Sequence, residues 1–424
     1  MKNSVKALKK QLKISKDAKS ITVSTLSMYD SGTYSVKKLT VGNYDLWDFG
    51  IVATSDEAVA LANNIRSLIG KASGVALDIY SSTSEFPSDL KPLFVGNEKI
   101  PDGETDTYYL FGEVDGGVAL YCQDSQARTK AYVDFQAVLE GNVAETIDLL
   151  VAIKPAKKQE GVQQTSADLK FMSFNVLNGW NTSNIGNRDD KAAEQILAFE
   201  PDVLALQEFD DYYRNATGTP LTSLISEKYS EVNSNQKSWN PIFYNKNTVT
   251  PIAYGHEEYS EGTSYDTYNY QGQVGSKFRT ITWVLFEHKA SGKQFLVFNT
   301  HLDVEANKQP LQITELKNKV TELQEMFGVT NVFLMGDLNS TASSQTAQSL
   351  FASGFTDTHA IAVTKDDLGS SASAADVAIT TAYVSAIDHL YCIGDNITVL
   401  EYKTVTSVRD ISDHCPIQIT LKIN

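Results

Sequence analysis

Cysteine is scarce in this 424-residue chain. Cys122, Cys392 and Cys415 are too few and too scattered for a disulfide framework or a zinc cluster, and read as buried thiols. No apolar run approaches the length of a transmembrane helix. Positive charge is short as well: 36 Lys and Arg face 52 Asp and Glu, a net charge of −16. Proteins that hold nucleic acid by bulk electrostatics carry the opposite excess, so acidity argues against such a partner. A nuclease stays open, because a bound metal can supply positive charge locally. Histidine is absent from the first part of the chain, the first of six being His256. There is no Gly-x4-Gly-Lys-Ser/Thr and hence no P-loop, and no GNH block of the two-metal phosphoesterases. Internal repeats and low-complexity tracts are missing too.

What is present suits a folded protein: 42% apolar and 21% charged residues, at a length that predicts two domains. Residues 1–20 form a basic segment with seven lysines and no apolar stretch behind them, so no intact signal peptide is expected. The polar composition, rich in Tyr, Ser, Asn and Thr, is compatible with a secreted or cell-surface bacterial protein whose signal was removed.

Residues 21–156 alternate strand and helix signals and predict a small α/β accessory domain. Asp48 to Thr54 reads as a strand, followed by a helix capped by Ser55 and stopped at Gly70. Val75 to Tyr80 reads as another strand, and Tyr108 to Cys122 as a hairpin across Asp115-Gly116, with a helix from Ser125 to Leu139 behind it. Residues 157–167 read as a polar linker. Strands are expected at Leu169 to Val176, Asp202 to Gln207, Pro241 to Tyr244, Thr280 to Glu287, Gln294 to Thr300, Asn331 to Met335, Ala386 to Ile393 and Pro416 to Ile423. Helices are expected over Arg188 to Phe199 and Glu305 to Phe327.

The residues that carry chemistry gather at the ends of those later strands. Asn175 follows Phe171-Met172-Ser173-Phe174, and Glu208 follows Val203 to Gln207. His301 and Asp303 end the strand beginning at Phe295, Asp337 and Asn339 the one beginning at Val332, and Asp388 and Asp413-His414 sit on or before the last ones. Carboxyl ends of strands form a natural ligand rim in layered α/β folds. Any one of these acids or imidazoles alone reads as structural or solvated; in ordered blocks that reading fails.

The blocks NTHLD (Asn299 to Asp303), GDLN (Gly336 to Asn339) and SDHCP (Ser412 to Pro416) resemble signatures of the endonuclease/exonuclease/phosphatase superfamily, which includes deoxyribonuclease I. FNVLN (Phe174 to Asn178), LQEFD (Leu206 to Asp210) and AIDHLY (Ala386 to Tyr391) match its remaining blocks in order. The resemblance covers 168–424 and implies a four-layer α/β sandwich, two mixed sheets face to face with helices outside. It also implies roles. Glu208 would be the main ligand of Mg²⁺ (Mn²⁺ or Ca²⁺ as alternatives), a hard cation that prefers oxygen donors, with Asn175 and Asp413 completing the metal site. Asp337 would activate the attacking water and Asn339 hold it in line. His414, oriented by Asp388, would stabilise the transition-state oxygens, and His301 would donate to a phosphate oxygen.

Around that centre the alternatives divide. Arg279 reads equally as a phosphate-binding or a surface arginine. Asp303, with Lys308, fits a bacterial THLD subgroup as a substrate-binding residue, or is a helix-start acid near a positive dipole end. His389 points away from Asp388 by strand alternation and reads as structural. His256, His288 and His359 read as solvent-facing, and Asp202 as a surface acid. The tyrosine-rich stretch Tyr259 to Tyr270 reads as a polar insertion rather than a substrate-facing loop. Residues up to Ala156 weakly resemble the small α/β domain preceding some bacterial glycosidase barrels, in the Asp56 helix and the TYYLFGEVDGGVALY hairpin, which implies carbohydrate contact. The expected activity is hydrolysis of a phosphate ester, with a nuclease as one alternative and a catalytically silent adaptor as another.

Overall fold

A strand apolar at consecutive positions must be buried on both faces. Phe171-Met172, Val203-Leu204-Ala205-Leu206, Leu296-Val297-Phe298 and Val332-Phe333-Leu334-Met335 all meet that condition and are buried throughout. The computed structural model describes residues 20–23, 32–35, 37–104, 106–142, 144–158, 165–178, 188–215, 220–233, 238–260, 279–370, 383–406 and 411–424. The basic segment 1–19, linker positions 159–164 and positions 261–270 of the tyrosine-rich stretch lie outside them. The chain divides into two units, Met1–Gly161 with Thr321–Gly328, and Val162–Val320 with Val329–Asn424.

In the second unit the buried strands form two mixed sheets, the fold expected for a four-layer α/β sandwich. A 7-stranded sheet runs in the order Tyr229–Glu231, Ile242–Asn245, Val203–Gln207, Ala167–Asn175, Ile417–Ile423, Ile397–Thr404 and Thr364–Lys365. A 6-stranded sheet runs Val249–Glu258, Thr280–His288, Gln294–His301, Val332–Asp337, Asp388–Ile393 and Thr356–Asp357. Their inner faces share one core of Phe171, Val203, Val284, Phe295, Phe333, Ile419 and Leu421. Phe171 meets Phe333 edge-on with ring centroids 4.7 Å apart. On the other face of the first sheet, Met172, Phe174, Leu204 and Leu206 pack with Ala192 and Ile196 of the helix Arg188–Phe199 and with Leu221 and Ile225. Alternation turns Leu296, Phe298 and Leu334 away from the shared core. They are buried too, as are Ile313, Leu316 and Val320 of the helix Gln309–Phe327.

Register is what positions the site. Ala167–Asn175 and Val203–Gln207 are parallel, with Asn175 opposite Gln207. Gln294–His301 and Val332–Asp337 are parallel, with His301 opposite Asp337, and the antiparallel neighbour places Asp388 opposite Asp337. Polar residues therefore leave both sheets at the same level of their ladders.

The first unit holds a 5-stranded sheet ordered Ile79–Tyr80, Phe49–Val52, Lys91–Gly96, Gly117–Tyr121, Leu110–Val114. The helix Asp56–Ser73 starts where the Ser55 hydroxyl accepts from the Ala58 N–H and stops at Gly74 in the left-handed conformation, φ +70°. Its buried face is Leu61, Ile65, Leu68 and Ile69. Asp124 caps the second helix, Ser125–Gly141, by accepting from the Ala127 N–H at 2.8 Å.

Several expectations need correction. The strand read from Val75 shortens to Ile79–Tyr80. The helix read from Glu305 begins at Gln309, because Pro310 favours a first turn and cannot donate within a continuing one. His359 is not solvent-facing: it is buried, with its ring stacked on Tyr383 at 3.5 Å. Asp202 is buried as well, and its carboxylate accepts from the Lys170 N–H at 2.7 Å. The three cysteines are free and buried. No helix among the described residues is long and apolar enough to cross a membrane.

Gly336 is the tightest point of the scaffold. Its φ is +147°, and a Cβ there would stand 1.9 Å from the Thr300 carbonyl oxygen of the neighbouring strand. Gly336→Ala is expected to lower the unfolding free energy by about 3 kcal/mol or more, measured by urea denaturation. A loss under about 1 kcal/mol would show that the two strands can separate there without harm.

Candidate functional site

The structure gathers Asn175, His301, Asp337, Asp388 and His414 into one buried group. Asp337 is its hub. Its Oδ1 accepts from the Asn339 N–H at 2.9 Å, which turns the chain sharply after the strand. Its Oδ2 accepts from Asn175 Nδ2 at 3.0 Å and lies 3.3 Å from His301 Nε2 and 3.7 Å from His414 Nε2. On the far side of that imidazole, His414 Nδ1 meets Asp388 Oδ2 at 2.7 Å. The Ser412 hydroxyl ties this last loop to the first strand, donating to the Asn175 carbonyl at 2.6 Å.

The electrostatics follow from burial and neighbours. Burial works against a charged His414. The carboxylates of Asp388 and Asp337 outweigh it and hold His414 well above the ordinary imidazole value. His301 goes the other way. Burial, the Arg279 charge and the His414 charge push it well below 6.5, so it stays a neutral donor. Burial, then the neighbouring Asp388 charge, raise Asp337 from 3.8 to about 7. The group thus contains one imidazolium, one neutral imidazole and a carboxyl that titrates near neutrality.

Glu208 lies beside this group on a different scaffold. It takes a left-handed backbone, φ +58°, immediately after the strand Val203–Gln207. Its Oε1 accepts from Asn175 Nδ2 at 3.2 Å, and its Oε2 from the Asn178 N–H at 3.1 Å and from the Asn178 side-chain amide. Burial, then the charge of Glu208, raise Asp413, which places the two acids within electrostatic reach. Unlike Asp388, whose partner is the His414 imidazolium, Glu208 has no cationic partner among the described residues. The carbonyl oxygen of the Asn178 side chain is buried without a hydrogen-bond partner among them. Carboxylate and amide oxygens lacking a counter-charge are the donors a hard divalent cation prefers. A second grouping of metal-ligand type, Asp337, Asp388 and His414, lies within 4.8 Å, but there the imidazolium already supplies the positive charge.

The tentative residues fare differently. Arg279 is 5% exposed, its charge is felt by His301, and its Nε and Nη1 have no hydrogen-bond partner among the described residues. It is no surface arginine. Asp303 is fully buried; its Oδ1 accepts from the Glu305 N–H at 2.9 Å, closing its own turn, and its Oδ2 lies 3.9 Å from Lys308 Nζ. Asn339 donates its side-chain amide to the Leu302 carbonyl at 2.9 Å, joining two of the loops.

Some residues had no assigned role in the sequence reading. Asn178 was visible as the last letter of FNVLN but carried no function there. Ser370, whose hydroxyl accepts from the Asp388 N–H at 3.0 Å, had no local signal at all. Nor did Gln309, whose side chain bridges two loops.

The sequence profile of the Endonuclease/Exonuclease/phosphatase family matches residues 172–414. Among solved structures, an endonuclease/exonuclease/phosphatase family protein from Bacteroides thetaiotaomicron is 20% identical, with a TM-score of 0.51, over 62% of this chain and 97% of that one. An endonuclease/exonuclease/phosphatase from Bacteroides vulgatus is 18% identical, with a TM-score of 0.50, over 61% of this chain and 100% of that one. A mannosyl-6-phosphatase from B. thetaiotaomicron is 19% identical, with a TM-score of 0.49, over 60% and 99%. No curated protein matches by sequence. The first two likenesses show the shared fold.

The pairing of His414 with Asp388 has a pH signature. A raised folded-state value means that the stabilisation is fully present below the unfolded value of 6.5 and is lost as pH rises through the raised one. Asp388→Asn is expected to lower the His414 midpoint by at least about one pH unit in an NMR titration of the imidazole. An unmoved midpoint would show that Asp388 is not what holds the charge.

Proposed function

The chain belongs to the endonuclease/exonuclease/phosphatase family, and from that premise we propose that it is a divalent-metal-dependent hydrolase of phosphate esters. The observation that carries the reading is Asp337. It is a buried carboxyl whose value is raised to about 7, touched by Asn175 and flanked by one charged and one neutral imidazole, beside Glu208, which has no cationic partner among the described residues.

A carboxyl titrating near neutrality is suited to take a proton from water, the work of a general base. Asp337 Oδ1 is tied to the Asn339 N–H of its own turn, whereas Oδ2 faces Asn175 and both imidazoles and would be the oxygen that does this work. Asn339 would keep the nucleophile in line. The His414 imidazolium, fixed by Asp388, would oppose the charge that grows on the phosphoryl oxygens. His301, kept neutral, would donate a hydrogen bond to a non-bridging oxygen, and buried Arg279 beside it would supply fixed positive charge. Glu208 and Asp413, with the Asn178 carbonyl oxygen facing the same demand for a cation, would hold Mg²⁺ or Mn²⁺. Asn175 supports them, its own Oδ1 being taken by the Leu177 N–H at 3.0 Å. The ion would polarise a phosphate oxygen and neutralise charge on the leaving side.

The test uses chelator-stripped protein with p-nitrophenyl phosphate and bis-p-nitrophenyl phosphate, with and without Mg²⁺ or Mn²⁺. Turnover is expected only with metal. His414→Ala and Asp337→Ala should each reduce kcat by about 10²-fold or more at unchanged metal affinity. Glu208→Ala should instead raise the metal concentration needed for half-maximal rate. Equal turnover with and without metal, or near-native rates in His414→Ala, would sink the reading. Added metal should also raise the melting temperature, because it would bind the folded arrangement of Glu208 and Asp413 and not the unfolded chain; an unchanged melting temperature at saturating Mn²⁺ would count against the site.

A further inference from the structure

Three consecutive carbonyls follow Asp337, at Leu338, Asn339 and Ser340, and each is held by a buried side chain remote in sequence. Gln309 Nε2 donates to the Asn339 carbonyl at 3.2 Å and the Leu338 carbonyl at 3.4 Å, and to the Asp303 carbonyl at 2.8 Å. The Thr346 hydroxyl donates to Gln309 Oε1 at 2.7 Å, which fixes the amide with its NH₂ towards the carbonyls. From the other side, His389 Nε2 reaches the Ser340 carbonyl at 2.9 Å. A carbonyl only accepts, so Nε2 carries the proton. His389 Nδ1 lies 3.3 Å from the Tyr383 hydroxyl, which itself donates to Asp357 at 2.9 Å, and the imidazole stacks on Tyr391 with centroids 5.0 Å apart. Both Gln309 and His389 are essentially inaccessible, at 2% and 1% exposure.

The loop they hold is not relaxed. Asn339 has φ +45°, a left-handed conformation that Asn adopts more readily than most residues but that still has to be held in one orientation against its alternatives. Asn339 alone has limited means of imposing it. Its N–H goes to Asp337 and its amide to Leu302, contacts that presuppose the turn. The amide side of these peptides is held by Asp337 and by the Ile387 carbonyl, which accepts from the Leu338 N–H at 2.8 Å; the carbonyl side is held by Gln309 and His389.

We propose that Gln309 and His389 are positioning residues for the hydrolysis, acting through the 338–340 peptide planes to keep Asn339 and Asp337 in register with His301 and His414. The proposal rests on the hydrolase reading above for its consequence. For its structural half it needs only the loop. Neither side chain touches the reacting atoms, and His389 faces away from Asp388, on the opposite side of their shared strand.

The test compares Gln309→Met and His389→Leu, which remove the donors at similar volume, with His389→Gln, which returns an N–H at similar reach. Hydrogen exchange of the peptide spanning 336–342 should accelerate at least about fivefold in the first two and return towards wild type in His389→Gln. On bis-p-nitrophenyl phosphate with Mn²⁺, kcat should fall about 10- to 100-fold while KM and half-saturating metal stay within about twofold. If Gln309→Met does not fold, Thr346→Val removes only the hydroxyl that orients Gln309 and should show a smaller shift of the same kind. Unchanged exchange in folded variants overturns the clamp, and faster exchange with unchanged kcat overturns its catalytic role. If the wild-type protein itself shows no metal-dependent turnover, the hydrolase reading fails, and the exchange data still decide whether the clamp exists.

Discussion

Four carboxylates crowd one rim of the second unit: Glu208, Asp337, Asp388 and Asp413. Like charges in a partly dry site disfavour each other's ionised forms. Here the consequence is visible in two of them, Asp337 pushed to about 7 and Asp413 raised partly by Glu208. Each acid is managed differently. Asp388 is paired with an imidazolium, Asp337 takes an amide N–H and a side-chain amide, and Glu208 is wrapped by Asn175 and Asn178. Asp413 feels the His414 charge as well as that of Glu208. Negative charge therefore exceeds the fixed positive charge on the Glu208 side of the rim, where the proposed cation would sit.

Holding such a group together requires the two sheets to keep their relative register. Apolar packing alone, being non-directional, fixes it poorly. Just beneath the rim the sheets are instead joined by buried amides. Gln207 Nε2, from the first sheet, donates to Asn299 Oδ1 of the second at 2.8 Å, and to Ser173 Oγ at 3.2 Å. Asn299 Nδ2 returns two bonds, to the carbonyls of Leu206 and Pro241 at 2.8 Å each. Asn299 and Gln207 are fully buried, so breaking this belt would strand donors and acceptors away from water. A small slide of one sheet would strand all of them together, which is why a polar belt here specifies alignment better than more phenylalanine would.

That belt also separates what the sequence made legible from what it hid. Strand ends with Asn, Glu, His and Asp were readable because chemistry-bearing residues after apolar runs are local patterns, and the structure unites Asn175, His301, Asp337, Asp388 and His414. The sandwich fold was readable because six motif blocks stand in the order of the family they resemble, and the apolar runs between them fit its buried strands. His359 and Asp202 were misjudged for the opposite reason. Each is a polar residue whose burial is supported by partners distant in sequence, a Tyr383 ring and the Lys170 N–H, and no local pattern encodes a distant partner. Asp303 was legible as a block letter, and one of its carboxylate oxygens closes its own turn while the other lies near Lys308. Gln309 and Ser370 were silent because a lone Gln in a helix or Ser in a loop is ordinary until the strand it supports is placed against it.

Three of the left-handed residues of the unit show how turn and chemistry are combined. Leu177 (φ +56°), Glu208 (+58°) and Asn339 (+45°) each come one or two residues after a strand end. Two of these turns use one device. Asn175 Oδ1 accepts from the Leu177 N–H, and Asp337 Oδ1 from the Asn339 N–H, both at a separation of two residues. Side chains of Asn and Asp are suited to this because they mimic a backbone turn. At Asp337 the device has a further result. Binding one carboxylate oxygen to the turn breaks the equivalence of the pair, so that Oδ2 alone meets Asn175, His301 and His414. A freely rotating carboxylate would present either oxygen in several orientations. This one presents a single oxygen in a direction set by the backbone. Any distortion of the 338–340 turn therefore re-aims the Asp337 carboxylate, which makes the geometry of that turn part of the site rather than a connection after it.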